Sequence, residues 1–344
     1  MKDNPFSLNF GIEPSRFISR ESQITEIVDT FKSGTPSSYL YIITGVRGSG
    51  KTVTMASISN RLKEEKNWIV ITLNSNRDLL TGFAANLYEH PLLKPAFIKA
   101  DISLSLGVNV ALSMDAPAPD VEVQIKKMLD IVKNLKYRVL VAIDEVTNTE
   151  SIRVFASAYQ MFLYENYPVF LLMTGLYENV RSLQDEKSLT FLYRAPKFEL
   201  KPLGINAMAN NYSEVFKITS EEALKMAKFT MGYSYAFQVL GYLRFKRQVP
   251  YELLIPEFDE IMEEYVYEKI WSELSGKDRE VITVIAQNGG KMKTQDIIKK
   301  TGLSSSSFST YRRRLGRGGI VSTEEYGLCE ICLPRFKEIV LSWQ

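Results

Sequence analysis

Near-continuous apolar runs occupy residues 41–44, 68–73, 137–143 and 168–175. Runs of this length, rich in Val, Ile and Leu and without alternation, mark strands buried on both faces. Between them, residues 22–31, 53–62, 77–89, 120–134 and 149–165 show helical spacing of apolar positions, and Ser19 or Ser22 is placed to cap the first of these helices. Strand alternating with helix predicts an α/β doubly wound parallel sheet. One stretch differs. Ile102, Leu104, Leu106, Val108, Val110, Leu112 and Met114 share a parity, and a Pro-rich loop at 115–119 follows. Residues 100–119 therefore read as a half-buried β insertion packed on the sheet or exposed for a partner. From 204 to 270 the strand signals stop and the spacing is helical throughout. Thr219 and Glu222 have capping-box spacing there, and Phe237, Leu240 and Leu243 line an apolar helix.

The turn after the first strand carries chemistry. Gly45-Val46-Arg47-Gly48-Ser49-Gly50-Lys51-Thr52 is G-x-x-x-x-G-K-T between a strand and a helix, which is the full P-loop pattern in its required context. Glycines let backbone N–H groups curl around phosphate oxygens, and the helix beginning near Val53 adds its positive end. Lys51 is expected to reach the β- and γ-phosphates of ATP, and Thr52 to bind Mg²⁺.

The next strands end in polar residues. The apolar run at 137–143 closes on Asp144 and Glu145, and the run at 168–173 on Thr174. In open α/β sheets, ligands bind beyond the carboxyl ends of the strands. Asp144 fits the Walker B role of holding Mg²⁺, Glu145 that of orienting and deprotonating an attacking water, and Thr174 that of reaching the γ-phosphate or that water.

Composition narrows the alternatives. The chain has 344 residues, 45% hydrophobic, enough for two or three domains, and its net charge of +2 says little about partners. The N-terminus lacks the apolar core of a signal peptide, and no run approaches the roughly 18 apolar residues of a membrane span, so a cytoplasmic protein without a membrane partner is expected. A single histidine, His90, removes most histidine-based catalysis. Cys329 and Cys332 are too few for a structural zinc; they read as small apolar residues or as a redox pair.

Residues 45–52, Asp144-Glu145 and a polar residue at the next strand end together resemble the AAA+ branch of P-loop ATPases. The upstream Phe17-Ile18-Ser19-Arg20-Glu21 is similar to the box preceding the P-loop in origin-recognition-type initiators, archaeal ATPases and STAND-type NTPases, with Ser19 replacing Gly or Asp. The resemblance implies a three-layer P-loop NTPase core at 1–203, an all-α lid and linker at 204–274, and Arg20 near the nucleotide. It also implies that a homo-oligomer or a protein partner completes the site, with Arg194 as candidate arginine finger. Thr230-Met231-Gly232-Tyr233-Ser234-Tyr235-Ala236 aligns with the sensor-2 turn, yet lacks both the arginine and the proline that relatives carry there.

Residues 275–344 are basic, with twelve Lys/Arg against seven Asp/Glu. Helical patterns at 278–287, 294–301 (with Thr294 as cap) and 304–315 precede β-runs at 320–323 and 327–333. This order resembles the C-terminal winged helix of origin-recognition-type ATPases. The third helix is then the recognition helix for duplex DNA. Ser305 and Ser306 lie near base edges, and Tyr311, Arg312, Arg313 and Arg314 offer phosphate contacts. The expected activity is Mg²⁺-dependent ATP hydrolysis serving a DNA-binding switch. Two alternatives stay open: a STAND-like signalling ATPase whose winged helix docks protein, and a non-catalytic ATP-binding scaffold.

Overall fold

The computed structural model describes residues 3–9, 14–102 and 120–344. Most of the alternating stretch expected at 100–119 thus lies outside the described residues. The chain divides into two compact units, Arg20–Thr44 with Thr54–Phe198, and Met1–Ser19 with Gly45–Val53 and Glu199–Gln344.

The first unit contains the large sheet. Its elements run α1 (Glu21–Lys32), β1 (Leu40–Thr44), α2 (Lys51–Lys63, from Thr54 on), β2 (Trp68–Leu73), α3 (Leu79–Glu89), α4 (Lys94–Lys99), α5 (Val121–Asn134), β3 (Arg138–Ile143), α6 (Glu150–Tyr164), β4 (Val169–Gly175) and α7 (Tyr177–Gln184). A 3-10 segment (Lys187–Arg194) and β5 (Lys197–Glu199) close it. The strand order is β2-β3-β4-β1-β5, and the pairs β2/β3, β3/β4 and β1/β4 are parallel. Ile143 lies opposite Met173 and Thr44 opposite Gly175, so the carboxyl ends of β1, β3 and β4 are level.

Alternate residues of each strand serve opposite faces. Ile71, Val141, Ile143 and Leu171 join Phe83, Leu129 and Phe155 of α3, α5 and α6 in one buried cluster. On the other face, Tyr41, Trp68 and Phe170 ring Phe31 of α1, with centroids 5.1–6.4 Å from it. Helices on both faces make three layers, which is why the strands carry no polar parity. Asp78, Asp120 and Thr149 cap α3, α5 and α6 by accepting first-turn N–H groups. The α1 cap differs from expectation: Arg20 takes the N-cap position and makes no side-chain capping bond.

The second unit is helical, with a small sheet. It runs α8 (Ile205–Phe216), α9 (Ser220–Phe229), α10 (Ser234–Arg247), α11 (Ile255–Met262), a π-turn (Glu263–Tyr267), α12 (Glu268–Glu273), α13 (Gly276–Gln287), β6 (Lys291–Lys293), α14 (Thr294–Thr301), α15 (Ser305–Arg317), β7 (Val321–Ser322), β8 (Leu328–Ile331) and α16 (Phe336–Ser342). The antiparallel order is β6-β8-β7, with Met292 opposite Cys329 and Val321 opposite Ile331. One apolar cluster extends from Phe6 through Phe237 and Phe258 to Val340, so the bundle and the C-terminal elements share a core.

Several local features depart from the sequence reading. Strand β6 has a single inward side chain, Met292, too little for a period to show. Thr294 is the first helical residue of α14, not its cap, and its buried hydroxyl has no hydrogen-bond partner among the described residues. Ser275 caps α13 instead, in a reciprocal box with Asp278. Thr219 accepts the N–H of Glu222 at 3.2 Å, but the Glu222 carboxylate turns to Arg244 at 3.5 Å, so only half of that box forms. Helix α16 is only seven residues long, too short for its periodicity to register in the sequence. It is fastened to the helices before it by Arg335 on Asp259 at 2.7 Å and by the Trp343 indole N–H on Glu263 at 2.5 Å.

The N-terminal strap is also part of this unit. Phe6 is 1% exposed among Tyr212, Phe216 and Phe237, and it occupies the space a side chain on Gly241 would need, 2.4 Å from the built Cβ. Ser7 N–H donates to Gln238, whose amide donates to the carbonyl of Arg16. Replacing Phe6 with Ala is expected to destabilise the helical unit by about 3–5 kcal/mol, the range for emptying a buried aromatic site. Urea unfolding followed by circular dichroism checks this, and a loss below about 1 kcal/mol contradicts the assigned packing.

Candidate functional site

The phosphate loop follows β1 directly and is braced by the helical unit, in which residues 45–53 reside. Gly48 and Gly50 adopt φ of +70° and +93°, the left-handed region where a Cβ is strained. Ser49 between them donates its N–H to the Val46 carbonyl at 3.2 Å. Glycines in this conformation around a single residue turn their N–H groups into an anion-binding concavity. Lys51 is 8% exposed and donates to the carbonyls of Gly45 and Val46, both at 3.0 Å. An ammonium beside a helix N-terminus and a glycine-lined loop is suited to phosphate, so the residues present fit a nucleotide's phosphates.

The outer side of the loop is held by consecutive residues at the start of α10. The Tyr233 hydroxyl donates to the Arg47 carbonyl, the Ser234 hydroxyl to the Ser49 carbonyl at 3.0 Å, and the Tyr235 N–H to the Gly48 carbonyl at 3.1 Å. A peptide group is planar and trans, so fixing a carbonyl also fixes the opposed N–H of the next residue. The N–H groups of Gly48 and Gly50 are thereby aimed away from α10. Burial pushes the Tyr233 hydroxyl pKa upward, which keeps it a donor. A Cβ on Gly48 would lie 2.4 Å from the Tyr233 oxygen. The Arg47 side chain is turned aside onto Glu273 in a two-point ion pair, at 2.6 and 3.2 Å.

The strand-end acids belong to the sheet unit. Asp144 accepts the Glu145 N–H at 3.0 Å and the hydroxyl of the fully buried Thr174. Thr174 in turn accepts the Glu145 N–H at 3.2 Å, and its carbonyl takes the Val146 N–H at 2.8 Å. The Thr174 hydroxyl thus donates to Asp144 and accepts from Glu145. Glu145 is exposed with φ +52°, an uncommon backbone for a non-glycine residue. Arg20 is half-buried, and burial lowers its guanidinium pKa to about 10, still cationic at neutral pH. Its neighbour Glu21 pairs with Arg61 at 2.6 Å. Arg194 ends the 3-10 segment and is exposed.

The basic helix α15 divides by role. Ser304 caps it, and Ser305, Ser306 and Arg313 are exposed. Arg314 is used internally, its Nε donating to the buried Asp278 at 3.1 Å, with Tyr311 5.1 Å from its guanidinium. Arg312 donates to the Thr323 carbonyl at 3.1 Å. Of the arginines expected to contact phosphate, two therefore staple the module, a distinction invisible in the run Arg312-Arg313-Arg314. Cys332 is a free thiol whose pKa burial pushes up to about 12, and it donates to the Gly319 carbonyl at 3.2 Å. That favours the small-apolar reading over the redox one.

Sequence reasoning placed Tyr233, Ser234 and Tyr235 in the sensor-2 turn without assigning them a role toward the loop, and it missed Glu273. The available signal was a run of hydroxyl side chains directly after Gly232 and opening a helix.

A Walker-type ATPase of Pyrococcus abyssi is 16% identical and superposes with a TM-score of 0.66 over 98% of this chain and 99% of that one. The ORC2 protein of Aeropyrum pernix, solved in ADPNP–ADP complexes, gives 13% identity and a TM-score of 0.63 over 97% and 96%. The CDC6P protein of Pyrobaculum aerophilum gives 12% and 0.50 over 100% and 97%. At such identities the likeness is one of fold. The chain has the α/β P-loop ATPase fold of the ORC/Cdc6 type, as the sequence motifs led us to expect. A family described as a domain of unknown function, DUF8462, matches residues 264–340. No curated protein matches the chain. Among the described residues no helix is long and apolar enough to cross a membrane.

Gly48→Ala is expected to lose nucleotide binding while the sheet unit stays folded, because it combines a strained φ with a clash against Tyr233. Binding of a fluorescent ATP analogue at parental affinity would contradict this.

Proposed function

We propose that this chain binds ATP on residues 45–53 and hydrolyses it as a cytoplasmic AAA+ switch. The functional division proposed is an ATPase core at 1–203, a lid and linker at 204–274, and a winged helix at 275–344. The observation carrying the proposal is the loop itself: left-handed Gly48 and Gly50, Lys51 at the start of α2, and outer carbonyls held so that N–H groups are aimed the other way. In this reading Lys51 neutralises charge on the phosphates, and Arg20 lies near the nucleotide. Mg²⁺, when bound, supplies further charge neutralisation, and the motifs give its ligands as Thr52 and Asp144.

Glu145 is the proposed base that orients and deprotonates the attacking water. The hydrogen bonds of Thr174 favour a positioning role, setting the Asp144 carboxylate and the Glu145 backbone. Arg194, exposed at the end of its segment, is suited to serve as a finger toward a second copy of the chain or a protein partner.

Duplex DNA is the proposed partner of the C-terminal module. Helix α15 presents Ser305 and Ser306 at its N-terminal end and Arg313 on its exposed side. A second reading, in which this module docks protein, is favoured by the internal use of Arg312 and Arg314, which leaves fewer cations for phosphate.

ATPase assays with and without duplex DNA test the catalytic reading. Glu145→Gln is expected to retain ATP and lose turnover by about 100-fold or more, the usual scale for removing a general base. Equal turnover in variant and parent would remove Glu145 from that role. For DNA, Arg313→Ala is expected to weaken binding alike for all sequences and to lower the salt slope by about 1. An unaltered slope would favour the protein-docking reading.

A further inference from the structure

The phosphate loop is joined to the C-terminal module by two routes that both end at α15. The first begins at Arg47, whose guanidinium grips Glu273, the last residue of α12, at 2.6 Å. Just upstream, the carbonyls of Trp271 and Ser272 accept the Arg279 side chain of α13 at 2.9 and 3.2 Å. At the same end of α13, Asp278 accepts Arg314 of α15, and Ser275 accepts it too at 3.1 Å. The second route begins at Val46. Gly319, in the turn that ends α15, adopts φ +71°, and its built Cβ would stand 3.1 Å from the Val46 Cβ. Cys332 holds the Gly319 carbonyl from the other side at 3.2 Å.

We propose that the outer side of the phosphate loop reports its nucleotide state to α15, with Glu273 as the relay residue and Tyr233 as a positioning residue for the loop. The proposal rests on the reading that the loop binds ATP. Three points carry it. The loop between β1 and α2 is only residues 45–50, so a turn of its peptides has few residues over which to be absorbed before it reaches Val46 and Arg47. The carbonyls of Arg47, Gly48 and Ser49 are each already bonded to α10. Reorienting an N–H toward phosphate therefore strains or relaxes those bonds and moves the Arg47 side chain. Glu273 and Gly319 face that motion from elements that determine where α15 sits. Any differential preference of the pair for the two loop states is a coupling free energy, and it acts in both directions.

Hydrogen–deuterium exchange of the full chain, with and without ADPNP and Mg²⁺, tests the idea alongside calorimetric binding. In the parent, nucleotide is expected to change exchange at residues 268–275 and 316–320 as well as in the loop. Glu273 lies at a half-exposed helix end, and Glu273→Gln is expected to bind ADPNP within about threefold of the parent yet lose the response at 316–320. Tyr233→Phe keeps the ring but removes one donor, and is expected to weaken binding about three- to tenfold at little change in melting temperature. Binding without any response at 268–275 and 316–320 in the parent overturns the relay and spares the ATP reading. A response undiminished in Glu273→Gln overturns the role of Glu273. Failure of the parent to bind ADPNP overturns the ATP reading and the relay with it.

Discussion

The constraint on which the rest depends is the capture of consecutive phosphate-loop carbonyls by the first residues of α10. A glycine-rich loop is costly to order, because glycine loses more conformational freedom on folding than any other residue. Here the ordering is external. Tyr233, Ser234 and Tyr235 each supply one donor, and the helix carrying them is itself anchored in the core built around Phe6, Phe237 and Phe258. The consequence is a loop whose outer carbonyls already carry partners, so that any turn of its peptides is felt at the start of α10.

The turn in which the resemblance leads one to expect a sensor-2 arginine instead supplies three donors to the phosphate loop. The residues that depart from the relatives' pattern are the ones that grip the loop. The same unit carries the module with the basic helix, and a single apolar cluster runs through both. The internal use of Arg314 on the buried Asp278 ties α15 to the start of α13.

Much of this was legible in the sequence, and the reason is periodicity. Strands β2 and β4 and helices α3, α5 and α6 stood out because burial on two faces or one stripe leaves a repeating signal along the chain. The P-loop and Asp144-Glu145 stood out because their chemistry needs particular side chains at particular strand ends. What stayed hidden depends on contacts between distant residues. Phe6 looks like any apolar residue in a polar leader until Gly241 is seen to make room for it. Arg312, Arg313 and Arg314 look alike until Asp278 and the Thr323 carbonyl claim two of them. Thr174 reads as a strand-end tip, and its hydrogen bonds to Asp144 and Glu145 show only once the two strand ends stand side by side. Short pieces such as β6 and α14's uncapped start fall below the length at which a pattern can be recognised.

The roles proposed for Lys51, Glu145 and α15 all require that the phosphate loop hold nucleotide. The most direct test is isothermal titration of the full chain with ATP and Mg²⁺, beside Lys51→Ala. One site per chain in the parent is predicted, with binding abolished in the variant and its melting temperature retained. Equal affinity in the two proteins, or no binding to the parent, would contradict the account at its base.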